Sequence, residues 1–117
     1  MNSLLDLPCE ACHAGAPKVT EEQAVAWLTQ LPGWQRCDLD TQAKLFCCFR
    51  FNDFAQALHF TSAVGALAEQ HNHHPDLLTR WGAVEVTWYT HAIGGLHQND
   101  FVCAAQTDRL FSQLSAQ

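Results

Sequence analysis

Positive charge is scarce in this chain: its 117 residues hold six Lys and Arg against twelve Asp and Glu, a net charge of −6. No basic run gathers anywhere, and without clustered Lys and Arg the chain has little to offer a nucleic-acid backbone. Long apolar runs are also missing, and Met1 to Pro8 lacks a basic segment followed by an apolar one. The expectation is a cytoplasmic protein that binds neither nucleic acid nor membrane. There is no internal repeat and no low-complexity tract. Cysteine is present six times, but a second Cys-x-x-Cys is absent. Cys9 and Cys12, followed by His13, therefore make at most half a zinc site or a redox pair, and they are not set between a strand and a helix. Cys37, Cys47, Cys48 and Cys103 lie in apolar segments and read as buried reduced thiols.

What is present is the composition of an ordinary globular domain, 48% hydrophobic and 15% charged. A chain of this length forms one domain that buries roughly two-thirds of its unfolded surface. Residues 1–19, broken by Pro8, Gly15 and Pro17, read as a flexible N-terminal extension, and 20–117 as the single domain. Thr20-Glu21-Glu22-Gln23 has capping-box spacing and opens a helix whose apolar stripe is Val25, Leu28 and Leu31, flanked by Ala24 and Trp27. Pro32-Gly33 stops it. Trp34 to Leu39 reads as a short strand, Asp38 to Thr41 as a turn, and 43–51 as a strand of clear period two. Asn52 or Asp53 caps a second helix reaching about His71, with Phe54, Leu58, Thr61, Val64, Leu67 and Ala68 on one face. Small residues (Ala55, Ser62, Ala63, Ala66) line another. Leu77 to Trp81 and Ala83 to His91 read as strands separated by Gly82, and a last helix runs from about Asn99 to Ser115. The order α-β-β-α-β-β-α implies an α+β domain of two layers: a four-stranded antiparallel sheet with three helices on one face.

The densest chemistry lies in Glu69-Gln70-His71-Asn72-His73-His74-Pro75. Proline disfavours a helical residue before it, so His74 should turn extended and the two adjacent rings should point in different directions at a helix end. Imidazole titrates near neutrality, so such a pair can hold one proton donor and one acceptor together. Taken alone, the segment reads equally well as a polar loop that happens to be rich in histidine. His71 fits a helix C-terminus, while His59 and His97 read as surface residues. A zinc site from His71, His73 and His74 packs three ligands into four residues, an awkward start for tetrahedral geometry, so no metal is expected.

Spacing makes the pattern specific. Glu69, three residues, His73-His74-Pro75, five residues, Trp81, nine residues, His91, eight residues and Asp100 fill seven positions across 32 residues. This resembles the signature of the pterin-4a-carbinolamine dehydratases at every position. Leu31-Pro32-Gly33-Trp34, Phe49-x-Phe51, Thr90-His91 and Gly95-Leu96 look like the family too, so the resemblance spans roughly residues 20–115. The Cys-x-x-Cys leader is similar to the N-terminal extension of bacterial members. Asn72 departs from the acid that many members carry before the histidine pair, which removes a charged contact from that position.

The resemblance implies a hydro-lyase that dehydrates 4a-hydroxytetrahydropterin to quinonoid dihydropterin, with no cofactor. That reaction recycles the pterin used by aromatic amino acid hydroxylases such as phenylalanine hydroxylase. His73, His74 and His91 are the implied catalytic set, and Glu69, Asn72, Pro75, Trp81 and Asp100 the implied substrate-binding set. His74 would act nearest the hydroxyl, with His91 as its partner and His73 holding or deprotonating the ring. Glu69 would orient a histidine or anchor the pterin edge, and Trp81 would pack beneath the site. Asp100 reads equally as an acid that satisfies free N–H groups at a helix start. The chemistry fits independently, because expelling water from a carbinolamine requires one proton delivered to oxygen and one taken from nitrogen. Family resemblance further implies a homodimer or homotetramer. Animal relatives also serve as dimerisation cofactors of a homeodomain transcription factor. The alternative function is therefore a non-catalytic regulatory or dimerisation module that binds a partner protein through the middle helix.

Overall fold

The computed structural model describes residues 3–7, 18–37 and 42–115. Thr20 caps helix α1 (Glu21–Leu28) as expected: its Oγ1 accepts the Gln23 N–H, and Gln23 Oε1 accepts the Thr20 N–H in return. The buried face is a different one from that expected. Ala24 and Trp27 are covered, with Leu31 beyond the helix end, whereas Val25 is 62% exposed. Trp27 packs its ring 5.3 Å from that of Phe101. Burying that large ring sets the rotation of the helix, and Val25, about 200° away around the axis, is turned to solvent.

Strands β1 (Gln35–Cys37), β2 (Lys44–Arg50), β3 (Asp76–Arg80) and β4 (Ala83–Trp88) form one antiparallel sheet in the order β1-β2-β4-β3. Both expected hairpins are present, and β2 joins them by pairing with β4. On the covered face Leu45, Cys47 and Phe49 of β2 stand opposite Trp88, Val86 and Val84 of β4. These cross-strand apolar pairs pin the register, because a slip of one residue would turn all of them outward. Strand β4 stops at Trp88, earlier than the expected end at His91. Thr90 instead bridges to Gly95 around a single 3-10 turn, His91–Ile93, which Gly94 closes with φ 62°.

Helix α2 (Phe54–His71) is capped by Asp53, whose Oδ1 accepts the Gln56 N–H at 2.8 Å. Its buried residues are Ala57, Phe60, Val64, Leu67 and Ala68. The C-terminal half matches the expected stripe, but Phe54 and Leu58 are 45% and 49% exposed. Phe60 takes the inward place by packing against Phe49 at 4.9 Å and Phe51 at 5.2 Å, which rotates the first two turns. Helix α3 (Gln98–Ser115) completes the layer over the same face of the sheet. The α+β order and architecture are those read from the sequence.

Two further expectations change. Of the four cysteines expected to be buried, Cys47 and Cys103 are, while Cys37 and Cys48 are half-buried, because Cys37 ends a short edge strand and Cys48 has the outward parity of β2. Within the N-terminal extension, Leu4–Asp6 form a 3-10 turn. Leu4 is fully buried in the core, and its N–H donates to Gln30 Oε1 at 2.9 Å. Pro8, Cys9, Cys12, His13, Gly15, Pro17 and the Asp38 to Thr41 turn fall outside the described residues. Among the described residues no helix is long and apolar enough to cross a membrane.

One ionisable group opposes this packing. Asp108 on α3 accepts the Trp34 indole N–H at 2.8 Å. Burial raises its carboxyl above the ordinary value of 3.8, and the Trp34 bond offsets that only in part. The charge on Asp108 and burial together push the Cys47 thiol up to about 12, burial contributing more. A carboxyl raised in the folded state binds its proton more tightly there than in the unfolded chain. Its contribution to stability therefore falls as pH climbs from the ordinary carboxylate value through the raised one. Asp108→Asn keeps an acceptor for Trp34 and removes the charge. Urea unfolding should find this variant more stable than wild type at pH 7.5, with the gap narrowing at pH 4.5. A gap that widens toward acid would contradict the assignment.

Candidate active site

Asn72 determines where the histidines go. It ends α2 in the left-handed region (φ 50°, ψ 42°), its N–H bonding to the carbonyls of Ala68 and Glu69, and it is the one non-glycine residue with positive φ among the described residues. Asparagine tolerates this conformation better than other side chains, so the residue that departs from the family pattern suits a helix C-cap. The helix therefore ends at Asn72, and His74 stands outside it, as expected of the residue before Pro75. The His73 N–H then folds back onto Ala68 O at 3.1 Å, completing the terminal loop.

His73 points into the protein and is 6% exposed. Its Nε2 lies 2.6 Å from Asp100 Oδ1, and its ring stacks on Trp88 with centroids 5.5 Å apart and planes 15° from parallel. Asp100 is fully buried. Its Oδ2 accepts the Thr90 hydroxyl at 2.7 Å and the His97 backbone N–H at 2.9 Å. Oδ2 is thus taken up by two donors, and because a carboxylate oxygen can only accept, the His73 tautomer that fits Oδ1 carries its proton on Nε2. Asp100 is the helix-start acid of one reading and the partner of a candidate catalytic histidine at once. His97, expected at the surface, is 2% exposed. It sits one residue before α3, where its Nδ1 accepts the Asn99 N–H at 3.0 Å. That capping role draws the ring inside.

His74 turns the other way, as adjacent residues in extended chain do, and stays exposed. Its Nε2 pairs with Glu69 Oε2, one turn back on α2. His91 is exposed at the start of the 3-10 turn, directly after Thr90. Thr90 and His73 share the Asp100 carboxylate, so that acid draws the His91 segment toward the histidine pair. Pro75 is half-buried beside His74, and Asn72 is exposed at the cap. Trp81 does not pack beneath these residues within the chain. It is 72% exposed in the β3–β4 turn, beyond the five residues of β3, which span roughly 17 Å.

A groove of ≈ 570 Å³ lined by Arg50, Asn52, Gln56 and His59 among others lies at the N-terminal end of α2, a full helix length from His71. What distinguishes the histidine region is two imidazole–carboxylate pairs on successive residues, one enclosed and one open to solvent. The first can hold a ring or a ligand in place, and the second can exchange protons with a bound molecule. Sequence reading missed Thr90 and Trp88 as parts of the site. Thr90 had a signal, its position next to His91; Trp88 had only the inward parity of a core residue.

Comparison with known proteins places this geometry. The sequence profile of the family described as Pterin 4 alpha carbinolamine dehydratase matches residues 17–110. A Syntrophotalea carbinolica protein provisionally named pterin-4-alpha-carbinolamine dehydratase is 47% identical over 110 residues, covering 94% of this chain and 98% of its own. Among solved structures, a transcriptional coactivator/pterin dehydratase from Brucella melitensis superposes with a TM-score of 0.74 at 29% identity, over 80% of this chain and 98% of that one. A pterin dehydratase-like protein identified as a RuBisCO assembly factor in the alpha-carboxysome gives a TM-score of 0.58 at 26% identity, over 68% of this chain and 89% of that one.

The two acids should separate in a stability measurement. Asp100→Ala strips the acceptor from three buried donors and should cost about 3–5 kcal/mol. Glu69→Ala removes a solvent-facing carboxylate and should barely move the urea midpoint. Equal losses for the two variants would contradict the enclosed and open assignments.

Proposed function

The chain belongs to the pterin 4 alpha carbinolamine dehydratase family, and on that premise we propose that it dehydrates a 4a-hydroxytetrahydropterin by histidine acid–base catalysis. The observation that carries this reading is the placing of His73 and His74, adjacent in sequence, in opposite environments, each with its own carboxylate. In the reaction the 4a-hydroxyl takes up a proton and leaves as water. The neighbouring ring nitrogen gives up its proton, and the C–N double bond of quinonoid dihydropterin forms. His74, exposed and oriented by Glu69, is the acid at the hydroxyl. His91 is its partner in returning the proton balance. His73, enclosed and held by Asp100, anchors the substrate ring. Asn72 and Pro75 complete the proposed binding set: Pro75 bounds the loop beside His74, and Asn72 offers an uncharged amide at the rim, whereas Trp81, beyond the far end of β3, stands outside the set within one chain. No cofactor takes part in these steps. On this reading the protein works in the cytoplasm as a homodimer or homotetramer and returns pterin to aromatic amino acid hydroxylases such as phenylalanine hydroxylase.

A second reading draws on the outer face of α2, where Phe54 and Leu58 stand exposed beside Ala55, Ser62 and Ala66. A partner protein docking there would make the chain a regulatory module. Substituting Phe54 and Leu58 would then remove a cellular phenotype while leaving dehydration intact.

Stopped-flow dehydration of freshly generated 4a-hydroxytetrahydropterin tests the leading reading. His74→Ala and His91→Ala should each slow it by about 10²–10⁴-fold with the fold preserved by circular dichroism. Wild-type rates in both variants would rule this mechanism out.

A further inference from the structure

The dehydratase reading assigns work to His73, and the structure shows a second constraint on that ring besides Asp100. Building on that reading, we propose that Trp88, itself pinned by Thr107, is a positioning residue that sets the plane of the His73 imidazole. The bond from Nε2 to Asp100 Oδ1 fixes where one atom of the ring points. It does not fix rotation of the ring about that direction, because a carboxylate oxygen accepts over a broad range of angles. The indole face removes this freedom: with planes 15° from parallel and centroids 5.5 Å apart, the two rings form an offset stack.

The indole is immobilised in its turn. Trp88 is fully buried, stands opposite Leu45 on β2, and donates its Nε1–H to Thr107 Oγ1 at 3.1 Å. The Thr107 hydroxyl donates onward to Cys103 O at 2.7 Å, which orients its oxygen to accept from the indole. Asp100 and Thr107 lie seven residues apart on α3, two turns along one face, about 10 Å along the axis. One helix therefore holds His73 twice, through Asp100 at the ring edge and through Thr107 and Trp88 across the ring face. An imidazole held this way loses little orientational freedom when substrate binds, and misplacement of a reacting group by an ångström can cost about 10²-fold in rate.

A buried tryptophan at the end of a central strand also belongs to the core, so the test uses readouts that loss of packing alone would not move. In wild type the His73 ring protons should resonate upfield under the indole ring current. Trp88→Leu should abolish that displacement and lower kcat by about 10–100-fold with little change in KM. Trp88→Phe, which keeps an aromatic face, should restore most of kcat. Thr107→Val keeps the indole but releases it, and should lower kcat by roughly 3–10-fold with KM held. Wild-type kcat in a folded Trp88→Leu, or in Thr107→Val if Trp88→Leu does not fold, would overturn the proposal. So would undisplaced His73 protons in wild type. A wild type inactive on the pterin would instead sink the dehydratase reading, and the ring-current comparison would still decide the stack.

Discussion

A carboxylate without access to water has to find its donors inside the protein, and Asp100 finds three of them on three different segments. His73 comes from the loop after α2, Thr90 from beyond the end of β4, and the His97 N–H from the start of α3. Leaving such a group unpaired would cost several kcal/mol, so the three segments are held together by the requirement to satisfy it. The same three segments carry or adjoin every histidine of the candidate site. The bond network that closes the fold at this end of the sheet is therefore also the network that assembles the site.

From that arrangement follows the contrast between His73 and His74. The left-handed turn at Asn72 releases the chain from α2 in an extended path, and extended geometry sends successive side chains to opposite sides. One ring meets Asp100 and the indole of Trp88, and the other meets Glu69 and solvent. Two identical side chains thereby acquire different environments without any difference in their own chemistry. The surroundings enclose one ring and leave the other open to solvent, and the proposed division of work rests on that contrast.

Much of this was legible in the residues. The Thr20 capping box, the Asp53 cap and the alternation of β2 and β4 are local or periodic signals, and the corresponding elements lie where they point, while the spacing from Glu69 to Asp100 pointed to the family. The signals that misled share a cause: they depended on which of two apolar side chains wins a place in the core. Trp27 displaced Val25 and Phe60 displaced Phe54 and Leu58, because large aromatic rings meeting partners from distant segments decide helix rotation. His97 looked like a surface residue because nothing in its neighbours announces an N-cap role for imidazole. The premature end of β4 at Trp88 follows from the Thr90–Gly95 bridge, a contact visible only once the chain is folded. Trp81 carried a site assignment on spacing alone, and β3 takes it to the opposite end of its hairpin.

The central claim, that Asp100 holds His73 by accepting its Nε2 proton, has a direct readout in long-range proton–nitrogen correlation spectra of the histidine rings. The account predicts that the native His73 ring is the tautomer with its proton on Nε2, with the two-bond pattern of that nitrogen lost or displaced in Asp100→Asn. A His73 whose Nε2 is the bare nitrogen in the native protein would contradict it.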